Sequence, residues 1–271
     1  MPIAVVLLSG YVSSARENQL VYPRATVEIG RLLSRLDVLD RENAQICDVS
    51  IQTIRHWRYG SRRSLATTQA KCPRCEGRPL DERAYAYLLG LYLGDGHITR
   101  GRRDVFALNV MCADDWPGLI QAAKAVMADV MPTSKVFCVQ RIGCTEVKST
   151  SKHWPCLFPQ HGPGRKHNRR IELASWQQQI VTEYPGLFAR GLFHSDGCRA
   201  TNRIRRRLAD GDHWYEYPRY LFSNESRDIL GLCGQTLDQL GVSWRFSRRN
   251  TISVARGEAV ARLDEFVGPK Y

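Results

Sequence analysis

The apolar positions of this chain follow two regimes. Between residues 30 and 63 they recur at helical spacing in three short bursts. Ile29, Leu32, Leu33 and Leu36 form a stripe for a first helix, and a second segment, ENAQICDVS, runs into a turn at Asp48-Val49-Ser50. Ser50 is a natural N-cap for a third helix, IQTIRHWRYG, which Gly60 ends. Ile46, Val49, Ile54 and Trp57 then fall where two packed helices need apolar contacts. Gln52, Thr53, Arg55, His56 and Arg58 are left on the outward face of the last helix, followed by Arg62 and Arg63.

From about residue 80 the period alternates between helical and two-residue spacing. A helix over Asp81–Gly94 precedes strand-like runs near His97–Arg100 and Val105–Met111; a helix over Asp114–Val130 precedes VFCVQRI and TEVKSTS. HGPGRKHNRRIEL has the Gly and Pro punctuation of a connecting loop. The order then repeats: a helix ending near His194, strands near Asn202–Arg207 and Tyr215–Phe222, a helix over Arg227–Leu240, strands VSWRFS and TISVAR, and a last helix over Gly257–Val267. Two halves of roughly 90 residues with one order of elements imply internal duplication.

The leading helices of the halves end alike, in LLGLYLGDG (88–96) and ARGLFHSDG (189–197). Each carries two small residues four apart, Gly90 with Gly94 and Gly191 with Ser195, on one helix face, so two such helices can pack backbone to backbone. Each also ends in an acid, Asp95 or Asp196, at the negative pole of the helix, a placement that costs up to about 1 kcal/mol. Packed together, these ends bring two carboxylates into mutual repulsion, which a hard divalent cation relieves. Mg²⁺ or Mn²⁺ held by Asp95 and Asp196, with the Gly94 and Ser195 carbonyls as further ligands, suits hydrolysis of a phosphodiester.

Composition narrows the partner. Thirty-nine Lys and Arg stand against 27 Asp and Glu, a formal charge of +12. The excess is mostly Arg in clusters (Arg100, Arg102, Arg103; Arg203, Arg205, Arg206, Arg207; Arg245, Arg248, Arg249), which suits phosphate and guanine better than lipid. Nine cysteines without framework spacing read as reduced thiols in a cytoplasmic protein. The apolar run Ile3–Leu8 is too short to span a membrane and lacks the basic flank of a signal peptide. One pair, Cys72 and Cys75 in CPRC, is half of a tetrahedral zinc site with no second pair at ribbon spacing, so zinc competes with a degenerate ribbon or a linker turn.

Residues 30–63 resemble the helix-turn-helix of bacterial DNA-binding proteins, with an ordinary helical hairpin as the alternative. LLGLYLGDG and ARGLFHSDG resemble the paired motifs of the LAGLIDADG homing endonucleases in the glycine, the leucine after it and the terminal Asp-Gly. The earlier consensus acid is Leu93 in one copy and His194 in the other. The resemblance covers about residues 80–268 and implies a pseudo-twofold α+β fold, αββαββα twice, with two four-stranded antiparallel sheets forming a saddle on double-stranded DNA. It carries the catalytic and metal-binding roles to Asp95 and Asp196. It implies DNA contacts from alternate residues of the first strands of each half: Arg100, Arg103 and Asn109, then Arg203, Arg205, Arg207 and Arg219. Lys148 and Arg249 are basic residues suited to assisting the leaving group. The expected organisation is residues 1–29 of no clear role, a helix-turn-helix over 30–63, a linker over 64–80, and halves over 81–175 and 176–271, as a monomer bound at the nucleoid. Inteins often carry this module, but the sequence ends in Gly-Pro-Lys-Tyr without a terminal His-Asn and starts with Met, which argues against splicing.

Three functions fit unequally. A Mg²⁺-dependent site-specific endonuclease uses both acids. A non-cleaving transcription regulator uses the same fold and the N-terminal reader. A basic scaffold with merely awkward helix ends leaves two C-terminal acids unexplained.

Overall fold

The computed structural model describes residues 22–59, 72–208 and 211–271, and divides at residue 69 into two compact units. In the first, α1 (Arg24–Arg35), α2 (Asp40–Ile46) and α3 (Ile51–Tyr59) follow one another through tight turns, Asp37 and Asp48 taking the left-handed conformation that ends α1 and α2. Ser50 caps α3 as expected, its hydroxyl accepting from the Thr53 amide at 3.1 Å. Ala44, Cys47, Ile54 and Trp57 form the core, with Tyr22, Val27, Leu33 and Val49 against it. Gly30 lies flat under the Trp57 ring, where an added Cβ would come within 2.6 Å, and its carbonyl accepts from the buried Asn43 amide at 2.9 Å.

The expected apolar stripe is corrected here. Leu33 packs inward, but Ile29, Leu32 and Leu36 are exposed, and Ile46 is 62% exposed. Helix α1 starts at Arg24, ahead of the expected boundary at 30, so the inward line runs Val27, Gly30, Leu33 and Ser34. A glycine and a serine close to a tryptophan and an asparagine carry no hydrophobic signal, so periodicity picks out the larger, exposed side chains instead.

In the second unit, α4 (Glu82–Gly94), β1 (Gly96–Arg100), β2 (Phe106–Ala113), α5 (Pro117–Val130), β3 (Val136–Arg141), β4 (Cys144–Ser151) and α6 (Trp154–Leu157) make the first half. Helix α7 (Ser175–Glu183) leads into the second: α8 (Pro185–Asp196), β5 (Gly197–Leu208), β6 (Gly211–Ser223), α9 (Arg227–Gln239), β7 (Arg245–Arg248), β8 (Thr251–Val254) and α10 (Gly257–Val267). The single helix expected up to His194 is two, because Pro185 at the start of α8 has no amide to continue α7. Both sheets are antiparallel and share one order, β1-β2-β4-β3 and β5-β6-β8-β7. The expected duplicated αββαββα order is therefore present.

One core joins the halves. Helix α4 is buried on nearly every side from Tyr85 to Leu93, and α8 contributes Phe188, Ala189, Leu192 and Phe193. Leu108, Val110 and Val147 face it from the first sheet, and Tyr220, Phe222, Ile252 and Val254 from the second. No helix among the described residues is long and apolar enough to cross a membrane.

Candidate active site

The α4–α8 contact depends on missing side chains. A Cβ on Gly90 would come within 2.5 Å of the Phe188 carbonyl oxygen, and one on Gly191 within 2.3 Å of the Tyr87 carbonyl oxygen. One turn on, a Cβ on Gly94 would stand 2.4 Å from that of Ser195 and 3.2 Å from the Asp196 carboxyl carbon. Overlaps of this size exclude any side chain, so the backbones themselves pack and the two helices end side by side.

That packing brings Asp95, the C-cap of α4, and Asp196, the last residue of α8, to a common site. Burial pushes the Asp95 carboxyl up to about 6, and the charge of Asp196 adds to it. Burial raises Asp196 as well, against the Asn224 amide that donates to it at 2.5 Å. Two lysines oppose both shifts. Lys166 donates to the Tyr92, Leu93 and Gly94 carbonyls at 2.6, 2.8 and 2.5 Å. Lys270 donates to the Gly197 carbonyl at 2.6 Å and that of Ser195 at 3.3 Å. Each ammonium thus caps the carbonyl end of one motif helix and faces the acids. Burial lowers Lys166 to about 8, although both aspartates pull it up.

The two lysines close equivalent segments. Lys166 ends Gly-Pro-Gly-Arg-Lys after the first half, and Lys270 ends Gly-Pro-Lys after the second. Lys270 is held by its neighbour Tyr271, whose backbone carbonyl accepts from the Gly118 and Leu119 amides at the start of α5, at 2.6 and 3.3 Å. Neither lysine was recognised from the sequence, and the repeated Gly-Pro before each was the available signal. Lys148 instead stands 3.7 Å from Glu146, and Arg249 pairs with Glu225. His194, at the earlier consensus-acid position of α8, is buried, shares a 2.9 Å hydrogen bond with the Tyr87 hydroxyl and is held neutral, its pKa lowered to about 4 chiefly by burial.

A cavity of about 660 Å³ opens beside Asp196, lined among others by His97, Lys166, Arg169, Asn224 and Glu225. Two carboxylates, helix-end carbonyls and an asparagine are oxygen donors, the chemistry that a hard divalent cation requires, so the donor set fits Mg²⁺ or Mn²⁺. The Gly94 and Ser195 carbonyls, expected as ligands, accept from lysine here.

Strand register sorts the basic residues. In the first sheet His97 pairs with Asn109, and Asn109 with Lys148, so these three share the face turned from the core. Asn109 is on the expected face but only 1% exposed, its amide donating to the Ala107 carbonyl at 3.0 Å. Arg100 shares the opposite face with Ile98 and pairs with Asp104, and Arg103 lies in the turn between β1 and β2. In the second sheet Arg219 pairs with Ala200, away from the core. Arg203, Arg205 and Arg207 pair with Glu216, Trp214 and Asp212 on the other face, where Arg203 stacks 4.3 Å from the Trp214 ring and Arg205 meets Asp212. Expecting Arg203, Arg205, Arg207 and Arg219 on one face is therefore corrected: the β5–β6 pairing offsets them. Arg206, beside Tyr215 on the same face as Arg219, had not been singled out.

In the first unit Gln52, Arg55 and His56 lie exposed on α3 and Thr53 is half-buried. Arg58 turns inward to the Val38 carbonyl, 2.7 Å, and Asp40, 3.0 Å. Arg62 and Arg63 lie outside the described residues. Cys72 and Cys75 sit in the turn before α4, packed with the second unit rather than in a separate linker.

No protein-family profile matches the chain, and no curated protein does. Among solved structures, mesophilic variants of the homing endonuclease I-DmoI are similar at 16% identity and a TM-score of 0.44, covering 69% of this chain and 97% of that one. The LAGLIDADG meganuclease I-AabMI bound to uncleaved DNA aligns at 11% identity and a TM-score of 0.45, over 67% and 82% of the two chains. I-SmaMI bound to uncleaveable DNA aligns at 10% and 0.42, over 69% and 84%. The chain's own paired motif helices, duplicated αββαββα order and two sheets of matching strand order are the arrangement that the resemblance to the LAGLIDADG homing endonucleases implies.

Proposed function

We propose that this protein is a divalent-metal-dependent, site-specific endonuclease of double-stranded DNA. The observation that carries the reading is the meeting of Asp95 and Asp196 at two helix C-termini, half-buried, with Asp95 pushed up to about 6. Two carboxyls whose ionisation burial opposes gain from a cation beside them. Asp95 and Asp196 would hold the metal, and the Gly94 and Ser195 carbonyls, which accept from Lys166 and Lys270, would join them only by exchanging those donors. When bound, Mg²⁺ or Mn²⁺ supplies charge stabilisation for an in-line displacement at phosphorus and lowers the pKa of water.

The chain's own groups do the rest. Asn224 holds the Asp196 carboxylate in place. Lys166 and Lys270 put two positive charges beside the acids, where a scissile phosphate and its leaving oxygen carry negative charge. Lys166, lowered to about 8, is close to proton exchange at neutral pH. Lys148, Arg206 and Arg219, on the sheet faces turned from the core, bind duplex phosphates and base edges. The exposed Gln52, Arg55 and His56 of α3 add a second reading head as a helix-turn-helix.

A second reading, a regulator that binds without cutting, is favoured by that N-terminal unit and by the ammonium groups on the carbonyls of Gly94 and Ser195. The deciding experiment exposes a random duplex library to the protein with Mg²⁺ or Mn²⁺ and sequences both bound duplexes and new ends. Cut ends at one recurrent site support the endonuclease. Recurrent bound sites with no ends under either ion support the regulator.

A further inference from the structure

The turn before α4 and the segment after β4 meet in a second cluster of candidate ligands, made of residues other than the acid pair. Cys72 and Cys75 come from the turn; His153 and Cys156, 78 residues beyond Cys75 in the case of His153, come from the end of β4 and from α6. The four candidate ligand atoms all lie within 4.8 Å of one another. Four such atoms around zinc at about 2.0–2.3 Å stand roughly 3.5–3.8 Å apart, so small side-chain adjustments suffice. Cys75 Sγ is 3.2 Å from His153 Nδ1.

The surroundings are built for that cluster. The Cys75 amide points at Cys72 Sγ, 3.5 Å, and the Cys72 carbonyl accepts from the amides of Glu76 and Arg78 at 3.2 and 3.3 Å. Gly77, with φ +69°, allows the chain to close this loop. His153 turns Nδ1 to the cysteines and Nε2 to the Glu76 carboxylate, 3.5 Å away. A carboxylate behind the second ring nitrogen fixes the tautomer that leaves Nδ1 free to ligate. Trp154 and Leu157 are fully buried, and the Trp154 indole donates to the Ser149 carbonyl at 3.1 Å, so the histidine and Cys156 are carried on an anchored segment.

We infer that Cys72, Cys75, His153 and Cys156 form a structural Cys3His zinc site that staples the start of the second unit to the end of the first half's sheet. Sulfur-rich, four-ligand and closed, the set suits zinc over magnesium, and it leaves no position for substrate. The sequence showed half of it: H-x-x-C answers C-x-x-C, but with a distant and mixed second pair that ribbon spacing does not anticipate. A Cys72–Cys75 disulfide is the competing use of the same thiols, and it leaves Cys156 and the Glu76-oriented His153 without a role. The site is independent of DNA cleavage.

The test is elemental analysis of the full chain, expressed with zinc, freed of any affinity tag and dialysed against a weak chelator. The expected result is one zinc per chain in the wild type, in the Asp95→Asn/Asp196→Asn variant and in Cys138→Ser, an exposed cysteine elsewhere. Zinc falls to background in Cys75→Ser/Cys156→Ser. Because that variant can fail to fold, Co²⁺ is also exchanged into the wild type, where thiolate-to-cobalt charge transfer and tetrahedral d–d bands are expected. A folded wild type without zinc, zinc that follows the aspartates instead of the cysteines, octahedral cobalt spectra, bound iron, or a Cys72–Cys75 disulfide by mass spectrometry would each overturn the assignment.

Discussion

Lys166 and Lys270 hold equivalent places in the two halves: each caps the carbonyl end of one motif helix, and both face the pair Asp95 and Asp196. The pseudo-twofold relation of the motif helices thus extends to their counter-charges. Two half-buried acids at two negative helix poles are tolerated in the folded chain because two half-buried ammonium groups stand against them.

Removing one ammonium should therefore cost stability and activity together. Lys166→Met leaves three helix-end carbonyls without their donor, and charge-assisted bonds of this kind are worth about 1.5–3 kcal/mol. A loss of about 2 kcal/mol in urea unfolding is expected, with cleavage reduced at least about tenfold. Lys166→Arg should not restore either, since three converging carbonyls fit a compact ammonium better than a planar fork. Wild-type stability in Lys166→Met would contradict the capping role.

The acid pair sets a pH dependence. Asp95 holds its proton more tightly in the folded chain, about 6 against an ordinary 3.8, so its ionisation opposes folding. The penalty is absent below about pH 4, grows as the pH rises, and is complete above about pH 6. Without divalent metal, Asp95→Asn should be more stable than wild type at pH 7.5, by about 1–2 kcal/mol after allowing for partial solvent screening, and the gap should close towards pH 4. Melting curves in a chelator measure it. Equal melting at both pH values would remove the electrostatic case for a cation.

The helix contact admits no side chain. Gly191→Ala places a methyl 2.3 Å from the Tyr87 carbonyl oxygen and Gly90→Ala one 2.5 Å from that of Phe188. Each should destabilise by about 2–3 kcal/mol through forced separation of the helices. Circular dichroism melts check this, with Gly231→Ala as control, since nothing lies within 4 Å of its added methyl.

Register separates arginines that composition treats alike. Arg219→Ala and Arg206→Ala should weaken duplex binding and each lower the salt slope by about 1. Arg203→Ala should change it little, because Arg203 lies on the opposite face against Glu216 and Trp214. Filter binding across a salt series distinguishes them, and equal losses from all three would mean that both faces of the hairpin touch DNA.

Much of this was legible in the sequence, for physical reasons. The small-residue pairs and terminal Asp-Gly of the two motifs are local requirements of a close helix contact, so they identify Gly90, Gly191, Asp95 and Asp196 directly. Helix α10 begins and ends where its periodicity does. What escaped depends on long-range geometry. Lys166 opens a single 3₁₀ turn (Lys166–Asn168) and Lys270 lies in an irregular segment, neither long enough for a period to report direction. Arg203 and Arg219 alternate correctly within their own strands, but the β5–β6 pairing decides which side each shares. His153 and Cys156 join Cys72 and Cys75 only once β4 is placed. In the first unit the exposed Ile46 and buried Asn43 invert the usual rule, because Asn43 satisfies the Gly30 carbonyl inside the core.

The most direct measurement is single-turnover cleavage of the selected duplex under Mg²⁺, comparing wild type with Asp95→Asn and Asp196→Asn at saturating protein. Cleavage by the wild type, lost by at least about 10³-fold in each variant while duplex affinity stays within a few-fold, is the expected outcome. A wild type that binds the duplex as tightly as both variants and leaves it intact under Mg²⁺ and Mn²⁺ would contradict a hydrolytic role for the paired acids.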